Sequence, residues 1–149
     1  MKNIHPTAII IDGAEIGDNV EIGPFCHIGP EVTIGNNCKL KSHVFLDGHT
    51  IIGEENIFFP TSYIGGEPQD LKFSNEKSQV LIGSRNTFRE GVSVHRGTLG
   101  GGGKTVIGND NLLMGYVHIA HDCHVGNNNI FANYTGLSGH VTINNYVTL

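Results

Sequence analysis

The chain has 149 residues, a length that gives one domain with a single core. Charged residues make up 15% and the formal net charge is −5. That excludes a general nucleic-acid binder, which needs a basic stripe to displace phosphate counterions.

No charged-then-apolar leader opens the sequence, and no apolar run approaches the length of about 18 residues that spans a bilayer. The expectation is a cytoplasmic chain with no transmembrane segment. The three cysteines, Cys26, Cys38 and Cys123, are odd in number and lack CxxC spacing. They read as reduced, small core residues. With 21 glycines and no tryptophan, the chain is expected to make many turns and few helices.

From Ile10 an apolar residue recurs every six positions, through Ile16, Ile22, Ile28, Ile34, Leu40, Leu46, Ile52 and Phe58 to Ile64. The phase resumes at Ile82, Phe88 and Val94, then again from Ile107 through Leu113, Ile119, Val125, Phe131, Leu137 and Ile143 to Leu149. A glycine often follows, as at Gly17, Gly35 and Gly108, and is expected to let the corner take φ values that disfavour other residues. Two positions before each apolar residue sits a small or turn-tolerant one, such as Ala14, Cys26, Thr50 or Asn111.

A period of six fits neither an amphipathic helix nor simple strand alternation. It fits a short strand and a turn, repeated, with one bulky side chain per side pointing inward. Three such sides make a triangular coil, and coils stack at about 4.8 Å. The predicted fold is therefore all-β: one hexapeptide parallel β-helix domain over residues 1–149, of about seven coils. Known members of this class wind left-handed, against the usual crossover rule.

Two gaps interrupt the phase, with about twelve extra residues between Ile64 and Ile82 and seven between Val94 and Ile107. If each is a loop spliced into one side, Ile64, Val94, Ile119 and Leu137 share one face. Round the next corner follow His95, Ala120 and Ser138, then Arg96, His121 and Gly139, then Gly97, Asp122 and His140. Ser93, His118 and Gly136 stand just before. Four histidines, Asp122 and both loops thus meet at one corner.

The remaining histidines (His5, His27, His43, His49 and His124) read as polar positions on a regular solenoid. At the corner three chemistries compete. Zinc wants three neutral imidazoles in a tetrahedron, as in carbonic-anhydrase-like β-helices. A general base needs only His121 with Asp122 to orient it, given a bend that brings the carboxylate to the ring. Gly139, stacked on His121, would offer a bare N–H to an oxyanion. A site that only binds a ligand, or only assembles trimers, without turnover is the third reading.

The segments "GEPQDLK", "HRGT", "NLLM", "HIAHDC" and "GLSGHV" together resemble the LpxA-like UDP-N-acetylglucosamine O-acyltransferase family, which starts lipid A synthesis. The related N-acyltransferases tend to carry Asp in place of His95 and Asn in place of Asp122, so both positions favour the O-acyltransferases. The resemblance implies a homotrimer with sites between neighbouring β-helices. It implies transfer of an (R)-3-hydroxyacyl chain from acyl carrier protein to the glucosamine 3-hydroxyl of UDP-N-acetylglucosamine, without metal or organic cofactor. It makes His121 the base, Asp122 its partner and the Gly139 amide the oxyanion donor. His95, His118 and His140 would contact sugar and diphosphate, and Gln69, Asp70 and Lys72 would reach substrate from the first loop. Family members continue past the position of Leu149 with further coils and a helical domain. Ending at Leu149 is thus expected to leave strand edges uncapped.

Overall fold

The computed structural model describes residues 2–149. Short strands repeat along the chain and fall into three parallel sheets of seven strands each, every third strand joining the same sheet. The first sheet contains Glu21–Ile22, Ile57–Phe58 and Thr87–Phe88, the second His27–Ile28, Tyr63–Gly66 and Ser93–His95, and the third Val32–Ile34, His49–Ile52 and Gln79–Ile82. Residues 18 apart pair where no loop intervenes, as Ile22 with Leu40 and Ile10 with Ile28. Three sides of six residues closing one coil is what the period required.

Apolar side chains stack inside as three columns. Ile28, Leu46, Ile64, Val94 and Ile119 are each fully buried in the second. In the first, the Phe58 and Phe88 rings lie parallel with centroids 4.7 Å apart. Each such side chain contributes roughly 1.5–3 kcal/mol by leaving water.

Two expectations need correction. The glycine after an apolar residue supplies a left-handed backbone at Gly65 (φ 90°), where the first loop leaves, but not elsewhere in the regular coils: Gly17, Gly35, Gly53, Gly83, Gly108 and Gly126 all lie outside the positive-φ set. Positive φ falls two positions later, at Asn19, Asn37, Glu55, Arg85, Asp110 and Asn128. The glycines stack on one another instead, and a Cβ on Gly108 would sit 2.5 Å from the Gly126 carbonyl oxygen. Close approach of successive coils is the reason for them.

The position two before each apolar residue is not chosen for turning either. Val20, Cys38, Asn56, Asn86, Asn111 and Asn129 are all buried there, forming a second inward column at the corner between the third and first sheets. Its four asparagines make a ladder. Asn86 Nδ2 donates to Asn56 Oδ1 (3.0 Å) and the Gly108 carbonyl (2.8 Å), and Asn86 Oδ1 accepts from Asn111 N–H (2.9 Å) and Nδ2 (3.0 Å).

Both loops leave between a second-sheet strand and a third-sheet strand, hence from the same corner. Ile64 pairs with Val94, Val94 with Ile119 and Ile119 with Leu137, as the spacing demanded. Cys26, Cys38 and Cys123 are buried free thiols. No described helix is long and apolar enough to cross a membrane.

Candidate active site

Past Ile119 the chain turns its corner on Asp122, which takes φ 62°. This left-handed conformation is uncommon outside glycine but best tolerated by Asn and Asp. It folds the carboxylate back onto the preceding ring, so that Asp122 Oδ2 lies 2.8 Å from His121 Nδ1. That is the bend adjacent residues needed.

Asp122 is 3% exposed and both its carboxylate oxygens accept hydrogen bonds. The Thr98 N–H reaches Oδ1 at 2.8 Å and the Thr98 hydroxyl reaches Oδ2 at 2.6 Å. Its own N–H donates to Thr105 Oγ1 at 2.9 Å. Burial pushes the Asp122 carboxyl upward, but the Thr98 hydroxyl, His121 and the Thr98 amide together hold it below its ordinary value. An ionised carboxylate only accepts, so the facing His121 Nδ1 carries the proton and Nε2 presents a lone pair. Nε2 stands 4.0 Å from Asp70 Oδ2 of the first loop.

Gly139 lies against this ring: a Cβ there would sit 2.5 Å from His121 Cε1. Its N–H has no backbone acceptor among the described residues. His140, one coil above Asp122, packs edge-on to the His121 ring at 5.1 Å.

The four corner histidines form two pairs. His95 and His118 meet edge-on at 4.7 Å, and Ser93 Oγ lies 2.7 Å from His118 Nδ1. His95 is 7% exposed, and its Nδ1 has no partner among the described residues. Burial, followed by the nearby His118, His121 and Arg96, lowers its pKa to about 4. Burial and then His121 lower that of His118. Both rings are therefore neutral near pH 7 and would meet a ligand by hydrogen bonding, not by charge.

The sign of the linkage follows. His95 titrates at about 4 folded against an ordinary 6.5, so the unfolded chain binds the proton first and stability falls as pH drops through that window. About 3 kcal/mol is at stake. Urea unfolding between pH 7 and 4 is expected to show this slope in the unsubstituted protein and to lose most of it in His95→Gln. An equal slope in both would contradict the assignment.

The first loop divides the corner's solvent space. A cleft of about 720 Å³ on one side is bordered by Gln69, His95, Tyr63 and Arg96. A second of about 460 Å³ is bordered by Asp70, Lys72, Thr98 and His140. The nine residues singled out from the sequence thus share one corner, with Gln69 on a different side of the loop from Asp70 and Lys72. One stacking detail differs: Thr98, not Gly97, meets Asp122, because the second loop leaves the column at Gly97, whose Cβ position abuts Lys104.

Sequence reasoning missed Thr98, Thr105 and Glu76. Glu76 in the first loop accepts the Leu99 N–H of the second at 3.1 Å. Thr105 stands at the repeat position two before Ile107, in the column of Thr50 and Val80, and that position alone did not show what it touches; Thr98 and Glu76 lie within the loops the repeat does not govern.

His121, Asp122 and His140 bring one donor atom each within 4.8 Å of one another. Zinc bonds such donors at about 2.0–2.2 Å. Here the carboxylate already holds three hydrogen bonds, and His140 Nε2 is 4.0 Å from it. The set fits a proton-transfer pair better than a metal centre.

The six-residue repeat that builds these triangular coils is that of the bacterial transferase hexapeptide family, whose model matches residues 13–48 and 104–139. A solved UDP-N-acetylglucosamine acyltransferase superimposes with TM-score 0.98 and 47% identity over 99% of this chain and 57% of that one. LpxA from Acinetobacter baumannii does so with TM-score 0.96 and 50% identity, over 97% and 56%. The Campylobacter jejuni acyltransferase gives 0.94 and 39%, over 99% and 57%. The chain is an LpxA-like left-handed hexapeptide β-helix. It spans little more than half the length of these relatives.

Proposed function

We propose that this corner transfers an (R)-3-hydroxyacyl chain from acyl carrier protein to the glucosamine 3-hydroxyl of UDP-N-acetylglucosamine. The observation that carries the reading is the 2.8 Å contact between His121 Nδ1 and Asp122 Oδ2, which leaves Nε2 unprotonated toward the first loop.

His121 Nε2 takes the proton of the sugar hydroxyl while its oxygen attacks the thioester carbonyl. Asp122 stabilises the imidazolium. The tetrahedral oxyanion is met by the Gly139 N–H. Collapse breaks the C–S bond, and the imidazolium returns its proton to the departing thiolate. His118 and His95, neutral, and His140 would hold sugar and diphosphate hydroxyls and oxygens, with Gln69, Asp70 and Lys72 completing the pocket from the first loop. The steps need no metal or organic cofactor. A reducing cytoplasm suits the three free thiols.

The corner is open on both sides of the first loop, which supports a trimer whose neighbours close it. Beside it the outer face of the second sheet carries Ile9, Phe45 and Tyr63, which are 55%, 37% and 38% exposed. Sedimentation equilibrium is expected to give three times the 16.1 kDa chain mass, and titration with UDP-N-acetylglucosamine one binding event per chain. A monomer that takes up no nucleotide sugar would overturn the reading.

A further inference from the structure

The second loop does more than border the site. After Gly97 it makes a single tight turn, Leu99–Gly101, and the residue opening it, Thr98, is 6% exposed. Thr98 gives both its donors to Asp122, the N–H to Oδ1 and the hydroxyl to Oδ2. Oδ2 is the oxygen that faces His121 Nδ1. At the turn's end Gly101 lies flat against the carboxylate, and a Cβ there would collide with Asp122 Cγ. The carboxylate is thus clamped between two residues of a loop that the repeat does not require.

The clamp is tied to the first loop. Glu76 Oε2 accepts the Leu99 N–H at 3.1 Å, and its Oε1 accepts the Ser74 N–H at 2.7 Å. The turn carrying Thr98 is thereby fastened to the loop that carries Asp70, whose carboxylate stands 4.0 Å from His121 Nε2.

We infer that Thr98 is a positioning residue that fixes the His121 tautomer through Asp122, and that Glu76 holds the Thr98 turn in register from the first loop. The inference rests on the proposed acyl transfer for its consequence in rate, but not for its consequence in protonation. With both carboxylate oxygens occupied by Thr98, Asp122 cannot rotate, and its free acceptor capacity on Oδ2 points at Nδ1. Without the hydroxyl, the carboxylate is free to turn toward His140, whose Nε2 already lies 4.0 Å from Oδ2. Nδ1 then loses its fixed acceptor, while Asp70 on the other side draws the proton to Nε2. That tautomer has no lone pair to offer a substrate hydroxyl. The charged and titratable groups facing His121 are Asp122 and His140 from the coils, Asp70 from the first loop, and His95 and His118 beside them.

The test is nitrogen-15 spectroscopy of the imidazoles in the 149-residue chain at neutral pH. The unsubstituted protein is expected to show His121 with Nδ1 protonated and Nε2 bare. Thr98→Val is expected to show a mixture of tautomers, and Thr98→Ser to restore the single one. Thr98→Ala removes the hydroxyl without adding bulk and serves where valine disturbs folding. Glu76→Ala is expected to give the same mixture. In turnover, Thr98→Val should lower kcat about 10- to 100-fold, the factor carried by one hydrogen bond to a charged group, with little change in KM. A pure Nδ1–H tautomer in both hydroxyl-free variants overturns the inference. A mixed tautomer in a protein that forms no ester would uphold it while rejecting the acyl-transfer reading.

Discussion

His121→Ala is expected to lower the rate of acyl transfer by about 10²- to 10⁴-fold, the contribution of a positioned general base. UDP-N-acetylglucosamine binding should be nearly unchanged. The reason is local. His121 is the one corner imidazole with an ionised carboxylate on Nδ1 and its other nitrogen toward the first loop. His118 is a poorer base, since its Nδ1 faces the neutral Ser93 hydroxyl and no carboxylate to stabilise an imidazolium, and burial lowers its basicity. His95 is weaker still, titrating at about 4. Turnover retained in the variant, measured by chromatography of the acylated sugar nucleotide, would remove His121 from the mechanism. The fold should not change, because the ring packs outside the prism against Gly139 and His140.

Asn86→Leu is expected to have the largest effect on stability. Leucine keeps asparagine's branching and heavy-atom count, and the same column holds the buried Val20 two coils below the ladder, so an apolar side chain is accepted there. The loss is in hydrogen bonding. The Gly108 carbonyl loses its Nδ2 donor, the Asn111 N–H and Nδ2 lose the Oδ1 acceptor, and Asn56 Oδ1 loses one of its two donors. Asn56, Asn86 and Asn111 are each at most 2% exposed, so water cannot replace these partners. Asn111 Nδ2 keeps the Gly126 carbonyl, which leaves the Gly108 carbonyl and the Asn111 N–H unpaired; at about 1–3 kcal/mol for each buried polar group the loss is about 2–6 kcal/mol. Urea unfolding followed by circular dichroism at fixed protein concentration reads it as a lower midpoint. An unchanged midpoint would mean the ladder is not a source of stability.

That ladder shows how far the residues alone could be read. Asn56, Asn86, Asn111 and Asn129 recur at one repeat position, so the signal was in plain view. The six-residue period gives the interval between inward residues but not which other positions also point inward. Asparagine is common in turns, so its recurrence by itself points to a turn. The glycines carry a related ambiguity. Sequence marks where glycine recurs, whereas only the stacked coils reveal whether φ or a neighbour's carbonyl requires it.

By contrast the pairing of Ile64, Val94, Ile119 and Leu137 followed from counting alone, and so did the shared corner of the two loops. Repetition converts sequence distance into height along the prism, so residues that obey the repeat were placed correctly, His121 and Gly139 among them. Thr98 and Glu76 lie in the loops, where that conversion ends. Their meeting with Asp122 and Leu99 depends on loop conformation and left no periodic trace.

The most direct test of the central claim is transfer of a labelled (R)-3-hydroxyacyl group from acyl carrier protein to UDP-N-acetylglucosamine by the unsubstituted chain. An ester at the glucosamine 3-hydroxyl is expected, formed without added metal and surviving a chelator. Saturable binding of the sugar nucleotide with no ester, or turnover that stops when zinc is removed, would contradict that claim.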